Sequence, residues 1–178
     1  MKKIKLLFAV LIALMTMSAC SDDEWGNDNA AMENIYYYGF HDWGKQKNDV
    51  TFSVNQGDTV NIPVEFFSEQ NKKYTVEVSY FTRSNLALGT DYQIVDENGN
   101  ALQQNADGGW TMTWPNARKG IQFIRLKALT GGKKGTVTVL TCNPANQEIG
   151  VDSTTIAKTS DYEVRGFSQN HKVTVTIK

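Results

Sequence analysis

Two cysteines, three prolines and two histidines in 178 residues rule out several kinds of protein at once. Two cysteines are too few for a disulfide framework, and neither sits in the paired spacing that holds zinc. His41 and His171 form no helical His pair, and no serine stands in a tight nucleophile-elbow sequence, so the familiar metal and base–nucleophile spacings are missing. Basic charge is not in excess, with 18 Lys and Arg against 19 Asp and Glu, so nothing in the composition invites nucleic acid. Beyond residue 20 no window of a dozen residues carries a helical apolar stripe. The one long apolar run, from Leu6 to Met17, is short of the ~18 to 20 residues that span a bilayer as a helix.

That run has a context. Lys2, Lys3 and Lys5 precede it, and Ser18 and Ala19 lead from it into Cys20, which is the positive, apolar and small-residue order of a secretory signal. Met17-Ser18-Ala19-Cys20 resembles the lipobox of bacterial lipoproteins, with Met where Leu is usual. The resemblance implies cleavage before Cys20, acylation there and a membrane partner held through lipid, several acyl chains giving a stable anchor at ~0.8 kcal/mol per buried methylene. Ser21-Asp22-Asp23-Glu24 resembles the acidic export signal of Gram-negative lipoproteins displayed on the outer face of the outer membrane. The expected organisation is a signal at residues 1–19, an acidic flexible tether at 20–33 and one β-sandwich domain at 34–178. Removal of the signal takes the 18 basic residues to 15 against 19 acids. With Cys20 lipidated, Cys142 has no partner, and its place in an apolar alternation suits a buried, inert thiol.

From residue 34 the period is two. Val50, Phe52 and Val54 alternate with Thr51 and Ser53; Val60, Ile62, Val64 and Phe66 with Asn61, Pro63 and Glu65; Tyr74, Val76, Val78 and Tyr80 with Thr75, Glu77 and Ser79. These read as half-buried strands. Further strands are expected at 35–40, 92–95, 110–114, 121–129, 136–142 and 172–178, separated by turns such as Asn55-Gln56-Gly57-Asp58 and Asn98-Gly99-Asn100. Short strands at this spacing give an all-β fold, an antiparallel immunoglobulin-like sandwich. Pro63 predicts an edge position or a bulge, and the polar stretch 143–160 a long crossover loop.

Leu86-Ala87-Leu88-Gly89-Thr90-Asp91-Tyr92, the strand near Ile121, Thr136-Val137-Thr138-Val139-Leu140 with Asn143-Pro144, and the closing Val173-Thr174-Val175-Thr176-Ile177 together resemble a Calx-beta-type sandwich. The same pattern is similar to the sandwich modules of surface lipoproteins that accompany starch-utilisation-type uptake systems. Calx-beta domains in some exchangers bind calcium, which makes Asp91 a candidate ligand. Calcium needs six to eight converging oxygens, however, and the chain ends Val-Thr-Ile-Lys without clustered acids. A carboxylate after Gly-Thr also suits the fixing of a corner through backbone N–H groups. No cofactor other than calcium is implied.

Aromatics are the functional lead. Tyr36, Tyr37, Tyr38, Phe40 and Trp43 crowd eight positions, and Trp110, Met112 and Trp114 share one face of a strand. Facing outward, Trp110 and Trp114, with Trp43 and Tyr37, would offer a stacking platform for a glycan or a partner protein; facing inward, the commoner fate, they are core. Tyr37 faces oppositely to Tyr36 and Tyr38. The expected function is therefore a non-enzymatic surface binding module. The alternatives are a structural or adhesive subunit that pairs through sheet edges and a small glycan hydrolase with two carboxyls flanking a cleft.

Overall fold

The computed structural model describes residues 32–41, 47–69, 71–145 and 153–178. The signal, Cys20, Trp43 and the acidic tether up to Ala31 lie outside the described residues. Asn34–Lys178 is one compact unit. Its strands are β1 (Ile35–Phe40), β2 (Thr51–Val54), β3 (Thr59–Phe67), β4 (Val76–Ser84), β5 (Tyr92–Val95), β6 (Trp110–Trp114), β7 (Gly120–Ala128), β8 (Gly135–Leu140), β9 (Ser153–Lys158), β10 (Glu163–Phe167) and β11 (Lys172–Ile177). They form a six-stranded sheet, ordered β5-β7-β3-β1-β10-β9, and a five-stranded sheet, ordered β2-β11-β8-β4-β6. The result is an immunoglobulin-like β-sandwich.

Alternation explains the two layers. Ile62, Val64 and Phe66 of β3, Ile124 and Leu126 of β7, and Tyr36 and Tyr38 of β1 point inward from the larger sheet. Val137 and Val139 of β8, Val173, Val175 and Ile177 of β11, and Trp110 and Trp114 of β6 meet them from the smaller one. Each large side chain so buried contributes roughly 1.5–3 kcal/mol. Most pairings are antiparallel, as the alternation predicts, but β1 lies parallel to β10 and β2 parallel to β11. The reason is topological: β1 and β2 follow one another in the chain yet belong to different sheets, and each docks beside a late strand.

Pro63 corrects one expectation. Its strand is interior, between β7 and β1. The His41 N–H donates to the Pro63 carbonyl at 2.9 Å, and the proline has no N–H to return. The β1–β3 ladder runs through Phe40↔Val64 and stops there, so Pro63 stands at a local edge inside the sheet. The 143–160 stretch is not all loop either, because β9 occupies Ser153–Lys158 as the outermost strand. Beside the end of β1, Asn48 ties the approach to β2 onto the β10–β11 turn. Its side-chain amide donates to the Ser168 carbonyl, and its oxygen accepts from the N–H groups of His171 (3.0 Å) and Lys172 (3.3 Å).

Candidate docking face

Trp110 and Trp114 share a face, as their spacing predicts, but that face is the core, and each is 2% exposed. Trp110 stacks on Tyr80 at 5.7 Å and its indole N–H donates to the Leu102 carbonyl. Trp114 stacks on Phe66 at 5.0 Å and meets Tyr38 edge-on. Neither ring can take a sugar or a partner, so the platform built on them is corrected. The physical reason is that Thr111 and Thr113 between them take the solvent side. Tyr37 does face away from Tyr36 and Tyr38, yet it is buried too, because Phe167 stacks flat on it at 4.8 Å. Burial pushes its phenol pKa up, opposed by the Arg165 guanidinium.

Asp91 sits at a corner. One carboxylate oxygen accepts from the Ala87 N–H at 2.8 Å and the other from the Lys133 N–H at 2.7 Å. This joins the approach to β5 to the β7–β8 turn, where Gly132 comes so close that a Cβ there would lie 2.7 Å from the Asp91 Cα. The Lys133 N–H, then that of Ala87, holds this carboxyl below the usual carboxylate range. Donors aimed at both oxygens make Asp91 a fixed part of the fold, and no group of three metal-ligating side chains occurs among the described residues. The other shifted groups are committed in similar fashion. Glu163 accepts from the Thr155 hydroxyl (2.7 Å), the Arg165 Nε (2.7 Å) and the Lys158 Nζ (3.2 Å), and its pKa falls to about 2, the Thr155 bond being the largest cause. His171 Nδ1 lies 2.8 Å from the Ser168 carbonyl, so that nitrogen carries the proton, and burial holds the imidazole below its ordinary pKa. Cys142 is buried, and burial pushes its thiol up.

The exposed apolar surface lies elsewhere. Ile121 and Phe123, on the outer side of β7, are each 45% exposed. Register places Phe123 beside Pro63 and Ile121 beside Glu65 of β3, and Phe67 beside Tyr37 of β1. Lys119 stands over the Phe67 ring at 5.3 Å. Arg125 and Lys127 alternate onto the same side as Phe123, while Glu65 lies 3.4 Å from His41. The outer face of the six-stranded sheet is thus an apolar field of Ile121, Phe123, Pro63 and Phe67, edged by cations. Reading for strands alone misses it, yet the sequence holds a signal: Ile121 and Phe123 are out of phase with Ile124, Leu126 and Ala128, so β7 is apolar on both faces.

Sheet edges are short. β2 and β5 have four residues each, β6 five and β9 six. The Leu102 N–H caps β5 by donating to the Ile94 carbonyl, and Gln122 donates to the Thr113 carbonyl of β6. Edges blunted in this way are poor templates for strand addition.

No family model matches the chain, and no curated protein matches it. Among solved structures it is similar to a chain of a CaDoc0917-variant–CaCohA2 complex, at 13% identity and a TM-score of 0.44 over 80% of this chain and 99% of that one. It is similar to CaCohA2 from Clostridium acetobutylicum in solution, at 16% identity and a TM-score of 0.43 over 81% and 92%. It is also similar to the third ScaB cohesin of R. flavefaciens in complex with a group 1 dockerin, at 12% identity and a TM-score of 0.34 over 80% and 94%.

Proposed function

We propose that this chain is a surface lipoprotein, anchored at Cys20 in the outer membrane and facing outward, whose sandwich is a non-enzymatic docking module for a partner protein, such as a component of a nutrient-uptake complex. The outer face of the six-stranded sheet carries the reading. Ile121 and Phe123 offer exposed aliphatic and phenyl surface on a rigid strand, with Phe67 and Pro63 beside them and Arg125 close by, which is the chemistry of an interface core and its rim. The cations Lys119, Arg125 and Lys127 suit a partner with an acidic border. A glycan platform is less well supported, since the indoles that would have formed it are core. The non-enzymatic part is supported by the commitments of Glu163, Asp91, His171 and Cys142 to hydrogen bonds or burial inside the fold.

A photo-crosslinking amino acid placed at Phe123 or at Thr138, on the opposite sheet, tests this in cells that make the lipidated chain. A discrete protein adduct from position 123 and none from 138 is the expected result, with Cys20→Ala moving the chain out of the membrane fraction. Equal adducts from both positions, or none from 123, would refute the docking face. Retention of the Cys20→Ala chain in the membrane would refute the anchor.

A further inference from the structure

A cavity of about 200 Å³ opens where the β1–β3 ladder gives out, lined by Phe40, His41, Lys47, Val50, Phe52, Pro63 and Val173. Pro63 borders it: the proline accepts from the His41 N–H but has no N–H to return, and the β1–β3 ladder runs no further than Phe40↔Val64. What remains is a space between Phe40 and Pro63 of the larger sheet and Phe52 and Val173 of the smaller one. Phe40 and Val173 are buried, whereas Val50, His41 and Lys47 are exposed and lie toward the mouth. Among the described lining residues the interior is hydrocarbon and phenyl, and the polar side chains stand at the entrance, where His41 already faces Glu65. Weakly held water in such a space is favourably displaced by an apolar group. Pro63 is common to the cavity and to the apolar field, because Phe123 is its register partner.

We infer that this cavity is the anchor pocket of the docking face and receives one large apolar side chain, phenylalanine or leucine in kind, that is flanked by a carboxylate in the partner protein. The inference rests on the docking reading given above. Size and lining set the first half: the space suits a single side chain, and its described lining residues give no set of converging polar groups that a sugar would need. Charge complementarity sets the second half. Lys47 supplies the cationic charge among the described lining residues, the Glu65 carboxylate at the entrance is turned to His41 at 3.4 Å, and Lys119, Arg125 and Lys127 outnumber it on the adjoining face. A buried apolar anchor within a charged rim is where binding energy concentrates in protein interfaces.

The test uses residues 21–178 and the probe N-acetyl-Asp-Phe-amide, followed through the methyl NMR signals of Val50 and Val173. Saturable shifts of both methyls at millimolar probe are expected, as are little response to N-acetyl-Asp-Ser-amide and several-fold weaker binding to Lys47→Gln. Val50→Phe fills the pocket from its exposed wall without touching the core and should abolish the shift of the Val173 methyls, the signal that remains in this variant. Ile121→Ser/Phe123→Ser should keep them, since those residues lie outside the cavity. Absence of shifts in the unsubstituted chain, or a Val173 shift that survives Val50→Phe, would overturn the pocket. Partner crosslinking from position 123 that persists undiminished in Val50→Phe would likewise overturn the anchor while leaving the docking face in place.

Discussion

The two outer faces of this sandwich differ in kind. On the five-stranded sheet, Thr51, Thr174 and Thr138 form one cross-strand row and Ser53, Thr176 and Thr136 the next. Thr111 and Thr113 continue the pattern on β6 opposite Ser79 and Glu77 of β4. Hydroxyl-bearing, β-branched side chains suit a pleated, solvated surface; this face is what an antiparallel sheet needs in order to keep its other side dry. On the six-stranded sheet the corresponding positions hold Ile121, Phe123, Pro63 and Phe67, which solubility alone would disfavour. Beneath both faces lies the same kind of core. The difference is therefore not required by the fold, and this is why it points to function.

Whether the outer aromatics are structural after all is decided by two substitutions. Trp114→Ala removes a core indole stacked on Phe66 and is expected to cost about 3–5 kcal/mol in urea denaturation. Phe123→Ser, at a site 45% exposed, is expected to change stability by less than ~0.5 kcal/mol. Similar losses from the two substitutions would make the outer field part of the fold and remove the argument for docking.

Strands 35–40, 92–95 and 110–114 are legible residue for residue, because alternation and flanking turns fix their ends. β9 and β10 are not: β9 reads Ser-Thr-Thr-Ile-Ala-Lys, a polar edge strand with little to bury. The even spacing of Trp110 and Trp114 fixes that they share a face, but which side the core lies on depends on how β6 pairs with β4, a long-range choice. Tyr37 is harder still, because its cover is Phe167, on a strand far away in sequence. The cavity could not be read at all, since it lies where the β1–β3 ladder ends at Pro63, which accepts from His41 but cannot donate back, and where two sheets meet around it.

The larger face is itself divided, since its β9–β10 end is polar. Thr155, then Arg165 and Lys158, stabilise the Glu163 carboxylate and bring its pKa from 4.5 to about 2. The lowered value means that the folded form binds its proton later than the unfolded one, so the stabilisation is present above pH 4.5 and is lost as pH falls toward 2. Glu163→Gln should lose about 1 kcal/mol at pH 7, a surface-network magnitude, and should match the parent near pH 2. His171 adds a slope at higher pH. Burial holds it below 6.5, so the unfolded chain takes up its proton first and stability declines as pH drops below 6.5. A Glu163→Gln deficit that persisted unchanged to pH 2 would show that packing, not charge, holds this end of the face.

The hydroxyl face should tolerate substitution most easily. Thr138 of β8 lies between Thr174 of β11 and Arg83 of β4, and Thr138→Val keeps the β-branched shape while removing one solvated hydroxyl. Strand preference is then nearly unchanged, and a surface substitution of this sort should fall within about 0.5 kcal/mol. Partner crosslinking from position 123 should be unaffected as well. If Thr138→Val is silent in both measurements while Phe123→Ser is silent only in stability, binding has been separated from folding on one sheet and both are absent from the other. If Thr138→Val instead weakens the adduct, the ordered hydroxyl rows are themselves a contact surface, and the partner must reach around the sandwich to touch both sheets.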